Sequence, residues 1–173
     1  MMTGILLLSF LLTGCGSPEP QTGKKMSMYY INTAETKVEV HEQYLNTKTL
    51  DEQLDETMRY LSTTPEKLEY KAPLDMGFRV LDYEVEDGKL LINVDKAYSE
   101  LSPTTEVLVR AAIVRTLTQL PNVKYVGITV EDSQLYDNAG ELVGWMNTDQ
   151  FINNDGNEIN TYELVKVKLY FAN

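Results

Sequence analysis

The chain has 173 residues, of which 43% are apolar, so it is long enough for one domain with a hydrophobic core and is not wholly disordered. Its 15 Lys and Arg against 26 Asp and Glu give a net charge of −11, which repels phosphate backbones and argues against nucleic acid as a partner. A single Cys and a single His exclude an internal disulfide, a Cys-rich zinc site and any motif built on two His ligands.

The N-terminal residues have the pattern of a bacterial lipoprotein signal. Residues 5–12 are apolar except for Ser9, and this run is too short to cross a membrane, which needs about 20 residues. It matches the apolar part of a secretory signal. The run ends in a tetrad that resembles the lipobox, in which the Cys sulfur receives a diacylglycerol: Leu12, Thr13, Gly14 and Cys15. We therefore predict a signal peptide with lipobox over 1–15, with a Cys buried in an N-terminal strand as the alternative.

Residues 1–14 contain no Lys or Arg, although a secretory signal normally begins with a basic residue. We expect the natural start of the protein to lie upstream. Residues 16–26 are rich in turn-forming residues and are predicted to form a flexible tether. An acyl chain on Cys15 would hold the domain that follows at the outer face of a bacterial cell membrane.

Two short β-prone runs open the domain. Residues 27–31 and 37–41 are predicted strands. The second run alternates, and His41 is expected to be exposed, on the side opposite Val38 and Val40.

A helix is predicted to begin after Thr49, because Thr49 and Glu52 have the spacing of a capping box. The helix should end before Pro65, and residues 62–77 are predicted to form a connecting loop. Four apolar side chains recur at helical spacing and predict one buried stripe: Leu50, Leu54, Met58 and Leu61.

A hairpin and a second helix follow. The pair Asp87–Gly88 separates two β-prone runs within residues 78–95, which is a strong signal for a two-residue hairpin turn. The pair Ser102–Pro103 suits the N-cap and first position of a helix that should run to about Gln119. Apolar residues lie almost all round this helix, so either the domain covers most of it or one face docks on another molecule.

The remaining elements are strands and loops. Strands are predicted over 123–130 and 142–146, a loop over 153–157 and a last strand over 165–171. This mixture predicts an α+β domain of two layers, with the helices on one face of a mixed or antiparallel sheet.

The end of the chain resembles its beginning. Leu-Tyr-Phe-Ala-Asn at 169–173 is similar to Met-Tyr-Tyr-Ile-Asn at 28–32, about one domain length earlier. We interpret residues 159–173 as a final strand that opens a second, truncated repeat. The alternative is that this strand closes the sheet of the first domain. Together with the missing basic start, the interpretation makes the chain a fragment of a longer protein.

Residues 109–130 carry the most specific pattern, a helix ending in Thr-Leu-Thr followed by Leu-Pro-Asn-Val-Lys-Tyr-Val and an apolar strand. This stretch and the strand within 87–95 resemble the GerMN domain family, and the resemblance extends over roughly residues 27–152. It predicts a GerMN-like domain at 27–158. The family pattern implies a structural role for its signature residues: Thr116, Leu117, Thr118, Leu120, Pro121, Val123 and Val126.

The resemblance implies a ring-building-type α+β fold and a scaffold role in endospore formation and germination, such as assembly of a channel between mother cell and forespore. It also implies tandem copies in lipoproteins and no catalytic residues. The sequence departs from the family pattern at residues 131–134, where Glu-Asp-Ser-Gln replaces the usual Gly-rich turn. This departure leaves the partner surface at that end of the domain open.

Motifs for catalysis and metal binding are absent from the sequence. It contains no G-x-S-x-G elbow and no phosphate-binding loop, and the predicted acyl anchor uses the single Cys. Residues 153–156 are similar to a calcium loop, but Phe151 and Tyr162 fall where an EF-hand needs ligands. We expect no enzyme activity, cofactor or metal, with a weak Ca²⁺ site in the acidic segment 131–158 as the alternative.

Aromatic residues suggest where partners bind. Tyr29, Tyr30, Tyr83 and Tyr125 fall on predicted strands and are expected to pack in or across the sheet. The alternative is an aromatic platform for peptidoglycan sugars. The candidate partner surface consists of three aromatic residues: Trp145, Tyr125 and Tyr136.

Two functions fit these observations. The first is a non-catalytic scaffold, anchored by lipid to the extracytoplasmic face of the cell membrane, or between the two membranes during sporulation. Its partners would be ring or channel proteins or like domains. The alternative is a lipoprotein that binds peptidoglycan or spore cortex and has no tie to sporulation.

Overall fold

The computed structural model describes residues 23–64 and 69–151. The first half of the described chain is mostly antiparallel β-structure with one helix. Its elements are β1 Lys24–Asn32, β2 Val38–Leu45, α1 Leu50–Leu61, β3 Tyr70–Lys71 and β4 Val80–Glu86. The second half contains β5 Lys89–Val94, a 3-10 helix Lys96–Glu100, α2 Pro103–Leu117, β6 Tyr125–Val130, β7 Ser133–Gln134 and a 3-10 helix Thr148–Gln150.

The strands divide into two sheets. Sheet A has the order β2-β1-β3 and is antiparallel throughout. Sheet B has the order β4-β5-β6-β7 and is mixed, because β5 and β6 run parallel while the outer pairs are antiparallel. The β5–β6 connection contains α2, which is the crossover that a parallel pair requires. The predicted α+β class, with helices packed on mixed and antiparallel sheets, is confirmed.

The core lies between the two helices and the inner faces of the sheets. Sheet A contributes Met26, Met28 and Tyr30, and Thr57 of α1 lies 3.8 Å from the sulfur of Met26. From sheet B the buried apolar residues are Leu90, Ile92, Val94, Val126 and Ile128. From the helices they include Leu54, Met58 and Leu61 of α1 and Val109, Ala112, Ile113, Val114 and Leu117 of α2.

The domain covers most of α2. The run from Ala111 to Val114 is buried on four successive positions, which together face every side of a helix. Val107 remains 45% exposed near the start. The first of the two interpretations of the all-round apolar helix is therefore confirmed over its central turns.

The C-terminal end of α2 completes the backbone hydrogen bonding of β1. The Tyr29 N–H donates to Thr116 Oγ1 (3.0 Å), and that hydroxyl donates back to the Ala112 carbonyl. The side-chain amide of Gln119 pairs with the backbone of β1 as a neighbouring strand would. It accepts from the Ser27 N–H (3.0 Å) and donates to the Ser27 carbonyl (2.7 Å). These bonds satisfy backbone N–H and C=O groups of β1 that have no partner on β3, because β3 is only two residues long.

Local capping signals predicted from the sequence are confirmed. Thr49 and Glu52 form a reciprocal capping box at α1. Ser102 Oγ accepts from the Thr105 N–H at 3.1 Å, with Pro103 at the first helical position of α2. The hairpin turn at Asp87–Gly88 is present, with Glu86 paired to Lys89.

Several predicted boundaries differ from the structure: β2 extends to Leu45, β6 begins at Tyr125 and α2 ends at Leu117. β1 begins at Lys24 rather than 27, so the last residues of the predicted tether belong to a strand. The predicted 62–77 loop contains β3. Residues 142–146 are not a strand but contain two isolated bridges, Tyr136 to Leu142 and Val126 to Met146. The physical reason is Gly144, whose φ of +62° interrupts an extended backbone.

The orientation predicted for β2 is also wrong. His41 lies opposite the buried Met28 and is half-buried, whereas Val40 lies opposite Tyr29 and is 57% exposed. β2 lies at an edge of sheet A, where one side of the strand has no neighbour in the described structure, so its inner face tolerates polar residues. Leu50 of the predicted α1 stripe is exposed as well, because it occupies the first helical position.

Some predictions concern residues outside the described ranges. These are the signal and lipobox with Leu12, Thr13, Gly14 and Cys15, the loop 153–157 and the strands over 165–171 and 159–173. None of the described helices is both long and apolar enough to cross a membrane.

Candidate partner surface

Sheet B has one face in the core and one face turned outward. The pairing register aligns Leu91 of β5 with Glu84 of β4 and with Gly127 of β6, so these residues share the outer face. We define the outer face of sheet B as Asp82, Glu84, Glu86, Lys89, Leu91, Asn93, Tyr125, Gly127 and Thr129. No described helix packs on this face in the way that α2 packs against β1.

The indole of Trp145 lies against Gly127 on the outer face. A Cβ placed on Gly127 would be only 2.8 Å from Trp145 Cζ3 and 2.9 Å from Cε3, so the indole ring requires glycine beneath it. Lys89 Nζ lies 5.3 Å from the ring centroid, in the range of a cation–π contact. The indole is nonetheless 42% exposed and remains available to a partner.

The backbone beside Trp145 is held in place by β6. Val126 and Met146 exchange two backbone hydrogen bonds, each 2.8 Å long. The Met146 sulfur lies 3.9 Å from Arg110 Nη1, and Arg110 forms an ion pair with Glu106 one helical turn earlier on α2. The position of Trp145 is therefore fixed from both neighbours, β6 and α2.

A cleft of about 220 Å³ opens next to the indole. Its walls are mostly apolar, with Thr129 and Gln134 as the polar side chains. Leu142 is exposed at its rim. A cleft of this size accepts one large side chain or one sugar ring.

The structure brings together two of the three predicted partner residues. Trp145 and Tyr125 share the outer face, because Tyr125 precedes Gly127 by two positions on β6. Tyr136 is exposed but lines a separate cavity of about 110 Å³ beside Glu106. The exposed side chains that the structure groups here are therefore Trp145, Tyr125 and Leu142, and Tyr136 is bridged to Leu142.

The other strand tyrosines pack into the domain, as predicted. Tyr30 is buried, and Tyr29 lies under the guanidinium of Arg115 at 4.2 Å. The Tyr83 hydroxyl donates to Asp55 of α1 at 2.7 Å. Burial, then the neighbouring Asp55 carboxylate, raises the pKa of Tyr83 to about 12.

The turn at Glu131 and Asp132, where the family pattern has a Gly-rich turn, has a left-handed backbone. Glu131 and Asp132 have φ of +47° and +63°, as a two-residue hairpin turn between β6 and β7 requires. Asn93 holds this turn: its amide donates to Asp132 Oδ1 (2.8 Å) and accepts from the Asp132 N–H (3.0 Å). The same amide donates to Asp82 Oδ2 at 3.1 Å. Sequence reasoning missed Asn93, although a polar residue within an apolar strand is a signal for such a clamp.

Tyr98, Glu106 and Arg110 form a buried polar network whose role is structural. The hydroxyl of Tyr98 donates to Glu106 Oε1 at 3.0 Å, and Arg110 donates to Glu106 Oε2 at 2.8 Å. Burial, then the negative charge of Glu106, raises the pKa of Tyr98 well above its usual value. A phenol held protonated in this way is a poor nucleophile and a poor base.

Metal binding finds no support in the described ranges. Across residues 23–64 and 69–151, no group of three or more His, Cys, Asp or Glu side chains is placed to hold a metal ion. Asp137 of the candidate calcium segment instead accepts hydrogen bonds from the backbone N–H groups of Ala139 and Glu141, within its own turn.

Comparison with known proteins agrees with this fold. The family described as "Germane: Sporulation and spore germination" matches residues 27–136. The tandem GerMN domains of the sporulation protein GerM from Bacillus subtilis align with a TM-score of 0.52 at 18% identity, covering 78% of this chain and 49% of that chain. The first GerMN domain of the same protein aligns with a TM-score of 0.52 at 15% identity, covering 69% and 92%. No curated protein sequence matches the chain.

The fold is thus that of a GerMN domain, in which two helices pack on antiparallel and mixed sheets. The chain belongs to the Germane family of sporulation and spore germination proteins. It spans about half the length of the tandem-domain structure that it matches.

Proposed function

We propose that this protein is a non-catalytic scaffold in spore formation or germination, which holds a protein partner on the outer face of sheet B. The observation that carries the proposal is Trp145, a large aromatic side chain left exposed on a rigid sheet. Exposed aromatic anchors on ordered elements are typical of protein interfaces. The assignment to spore formation or germination is supported by the family to which the chain belongs.

The charge of the surface indicates the kind of partner. Asp82, Glu84 and Glu86 form an exposed acidic row beside the aromatic patch, and the whole chain carries a net charge of −11. Such a field favours a partner that presents basic residues around an apolar centre. Channel or ring proteins, or like domains, are the partners that we propose.

We further propose that an acyl chain on Cys15 anchors the protein to the membrane. The support is the apolar run of residues 5–12 that ends in the Leu-Thr-Gly-Cys tetrad. The domain would then act at the extracytoplasmic face, or between the two membranes during sporulation. Replacing Cys15 with Ser should release the protein from the membrane fraction, and retention there would contradict the anchor.

Peptidoglycan or cortex binding is the second candidate, and the cleft beside Trp145 favours it. A flat indole next to a cleft of about 220 Å³ lined by Thr129 and Gln134 offers a stacking surface and hydrogen bonds to one sugar ring. Lys89 beside the indole could pair with the carboxylate of a muramic acid.

A pair of experiments in the source bacterium tests the scaffold. Deletion of the complete gene should sharply reduce heat-resistant spores, and the Trp145→Ala variant should reproduce this loss at normal protein level. Leu50→Ala is the matched control, because Leu50 is an exposed apolar side chain on α1, away from the outer face. Normal spore counts in the deletion strain would refute a role in sporulation.

A binding experiment separates the two candidates. Trp145 is the single Trp of the chain, so its fluorescence reports any ligand at the cleft. Saturable quenching by purified muropeptides would favour the peptidoglycan candidate. No change with muropeptides, together with loss of a copurifying protein from the Trp145→Ala variant, would favour the scaffold.

A further inference from the structure

β4 forms one edge of sheet B. Among the described residues its backbone pairs with β5 alone, so one side of this seven-residue strand is open. Glu86 pairs with Lys89 directly beside the two-residue turn. The pair that closes such a turn is hydrogen-bonded, and bonding alternates along an antiparallel pair. We therefore place the backbone N–H and C=O groups of Tyr83 and Val85 on the open side, where a further strand could bond to them.

The side chains of β4 differ between its two faces. Asp82, Glu84 and Glu86 are exposed on the outer face of sheet B. Tyr83 and Val85 alternate with them, pack against the core and remain half-buried. A strand laid along this edge would therefore meet carboxylates on one face and apolar side chains on the other.

The carboxylates of β4 are not neutralised by ion pairs. Among the described residues, no Lys or Arg forms an ion pair with any of the three. Lys89, opposite Glu86, lies 5.3 Å from the ring centroid of Trp145. The Tyr83 hydroxyl donates to Asp55 of α1 at 2.7 Å, so Asp55 adds a fourth carboxylate beside the edge. This concentration of negative charge favours a strand that carries basic side chains.

The other long edge strand has compensated charges. β2 is eight residues long, and the described structure pairs it with β1 alone. Its Glu39 and Glu42 form ion pairs with Lys37 and Lys25, at 2.6 and 2.7 Å. An edge neutralised in this way has little preference for the charge of an added strand, so the preference is specific to β4.

A second copy of β4 does not suit this edge. Two copies paired antiparallel would place carboxylates opposite carboxylates on the outer face, and like charges directly opposite each other are destabilising. The occupant that the edge favours is therefore a strand of a different sequence, basic on one face and apolar on the other.

We propose that the open edge of β4 binds an extended segment of a protein partner as an added antiparallel strand. In this segment Lys or Arg alternates with apolar residues. The basic side chains lie opposite Asp82, Glu84 and Glu86, and the apolar side chains cover Tyr83 and Val85. The inference rests on the proposed scaffold function, because it describes how the partner of the scaffold would bind.

A synthetic peptide added to the full chain tests the pairing: acetyl-Thr-Lys-Val-Lys-Val-Lys-Thr-amide. It should slow deuterium exchange at the N–H groups of Tyr83 and Val85, and leave exchange at Glu84 unchanged, because that N–H points toward β5. Unchanged exchange at Tyr83 and Val85 with about 1 mM peptide would overturn the proposal. Slow exchange of both groups in the free protein would also overturn it, because the edge would already be occupied.

Backbone methylation separates strand pairing from simple charge attraction. N-methylation of both valines removes the peptide N–H groups that face β4, and should weaken binding about tenfold or more. N-methylation of two lysines is the matched control, because those N–H groups point away from β4, and this peptide should bind like the parent. Equal binding of the two methylated peptides would overturn the proposal.

Charge reversal tests the preference for basic residues. E84K/E86K should bind the lysine peptide about tenfold more weakly or worse, and should bind acetyl-Thr-Glu-Val-Glu-Val-Glu-Thr-amide instead. E69K/E100K is the matched control, since it changes the net charge equally at two exposed carboxylates outside sheet B. The control should still prefer the lysine peptide. The same preference in both variants would overturn the proposal.

Trp145→Ala distinguishes failure of this inference from failure of the scaffold. Trp145 lies against Gly127 of β6, so β5 separates it from β4, and the variant should bind the lysine peptide like the wild type. Failure of the peptide experiments overturns the strand site on β4 alone. Normal spore counts in the deletion strain overturn the scaffold, whatever the peptide does.

Discussion

Gly127→Ala tests whether the outer face depends on the close approach of Trp145 to the sheet. The new Cβ would lie 2.8 and 2.9 Å from two indole carbons and 3.2 Å from Leu91 Cδ1, so the indole must move. Because Trp145 is 42% exposed, it can swing outward instead of straining the strand. The ring would then lose about 150 Å² of contact, which corresponds to at most about 3–4 kcal/mol.

An opposing gain reduces this loss. Alanine is favoured over glycine inside a strand by about 0.5–1 kcal/mol. We therefore expect Gly127→Ala to lower the free energy of unfolding by at most about 2–3 kcal/mol, measured by urea denaturation. The Trp145 fluorescence should shift to the red, because the indole moves into water.

The sign of the effect should depend on Trp145. In a Trp145→Ala background there is no ring to displace, so Gly127→Ala should be neutral or stabilising by about 0.5–1 kcal/mol. A wild-type emission spectrum together with unchanged or increased stability in the single variant would refute the reasoning. Equal effects in the two backgrounds would refute it as well.

Three further changes test other parts of the fold. Gln119→Ala removes the side chain that pairs with Ser27, so it should lower the free energy of unfolding by about 1–2 kcal/mol. The Ser27 amide should then exchange faster with deuterium, and unaltered exchange would contradict the pairing. Glu131→Gly relieves a left-handed backbone and should stabilise by about 0.5–1 kcal/mol in urea denaturation, whereas destabilisation would show that no strain is stored there. Burial favours a higher pKa for Glu56, but hydrogen bonds from Thr47 and Asn46 hold it below the usual value. The Glu56 carboxylate stabilises the fold at pH above its unfolded pKa, and this stabilisation is lost as the pH falls through its lower folded pKa. The free energy of unfolding of Glu56→Gln should therefore fall less steeply than that of the wild type below about pH 4.5. An equally steep acid limb in Glu56→Gln would refute this assignment.

Sequence patterns predicted the elements that are specified locally. The capping box at Thr49, the N-cap at Ser102 and the Asp87–Gly88 turn each depend on residues within four positions of one another. Such signals need no knowledge of distant contacts, and the helices and the hairpin that they predict are present.

Elements that depend on distant contacts could not be predicted in the same way. The alternation of β2 leaves open which face is inward, and only the pairing of His41 with Met28 decides it. The apolar run 142–146 has strand composition, but Gly144 turns the backbone so that Trp145 can lie over Gly127. The division into two sheets likewise follows from α2 passing along the edge of β1.

The buried family-signature residues and the exposed side chains of the proposed partner surface lie on different faces of the fold. Thr116 is fully buried and bonds to β1, and Leu117, Leu120, Val123 and Val126 are core residues. Side chains committed to packing in this way cannot select a partner, so the signature specifies the fold. We therefore expect partner selection to come from side chains that the fold leaves exposed, such as Trp145 and the acidic row of β4. A protein with the same signature but no aromatic residue over Gly127 should therefore fold alike and bind a different partner.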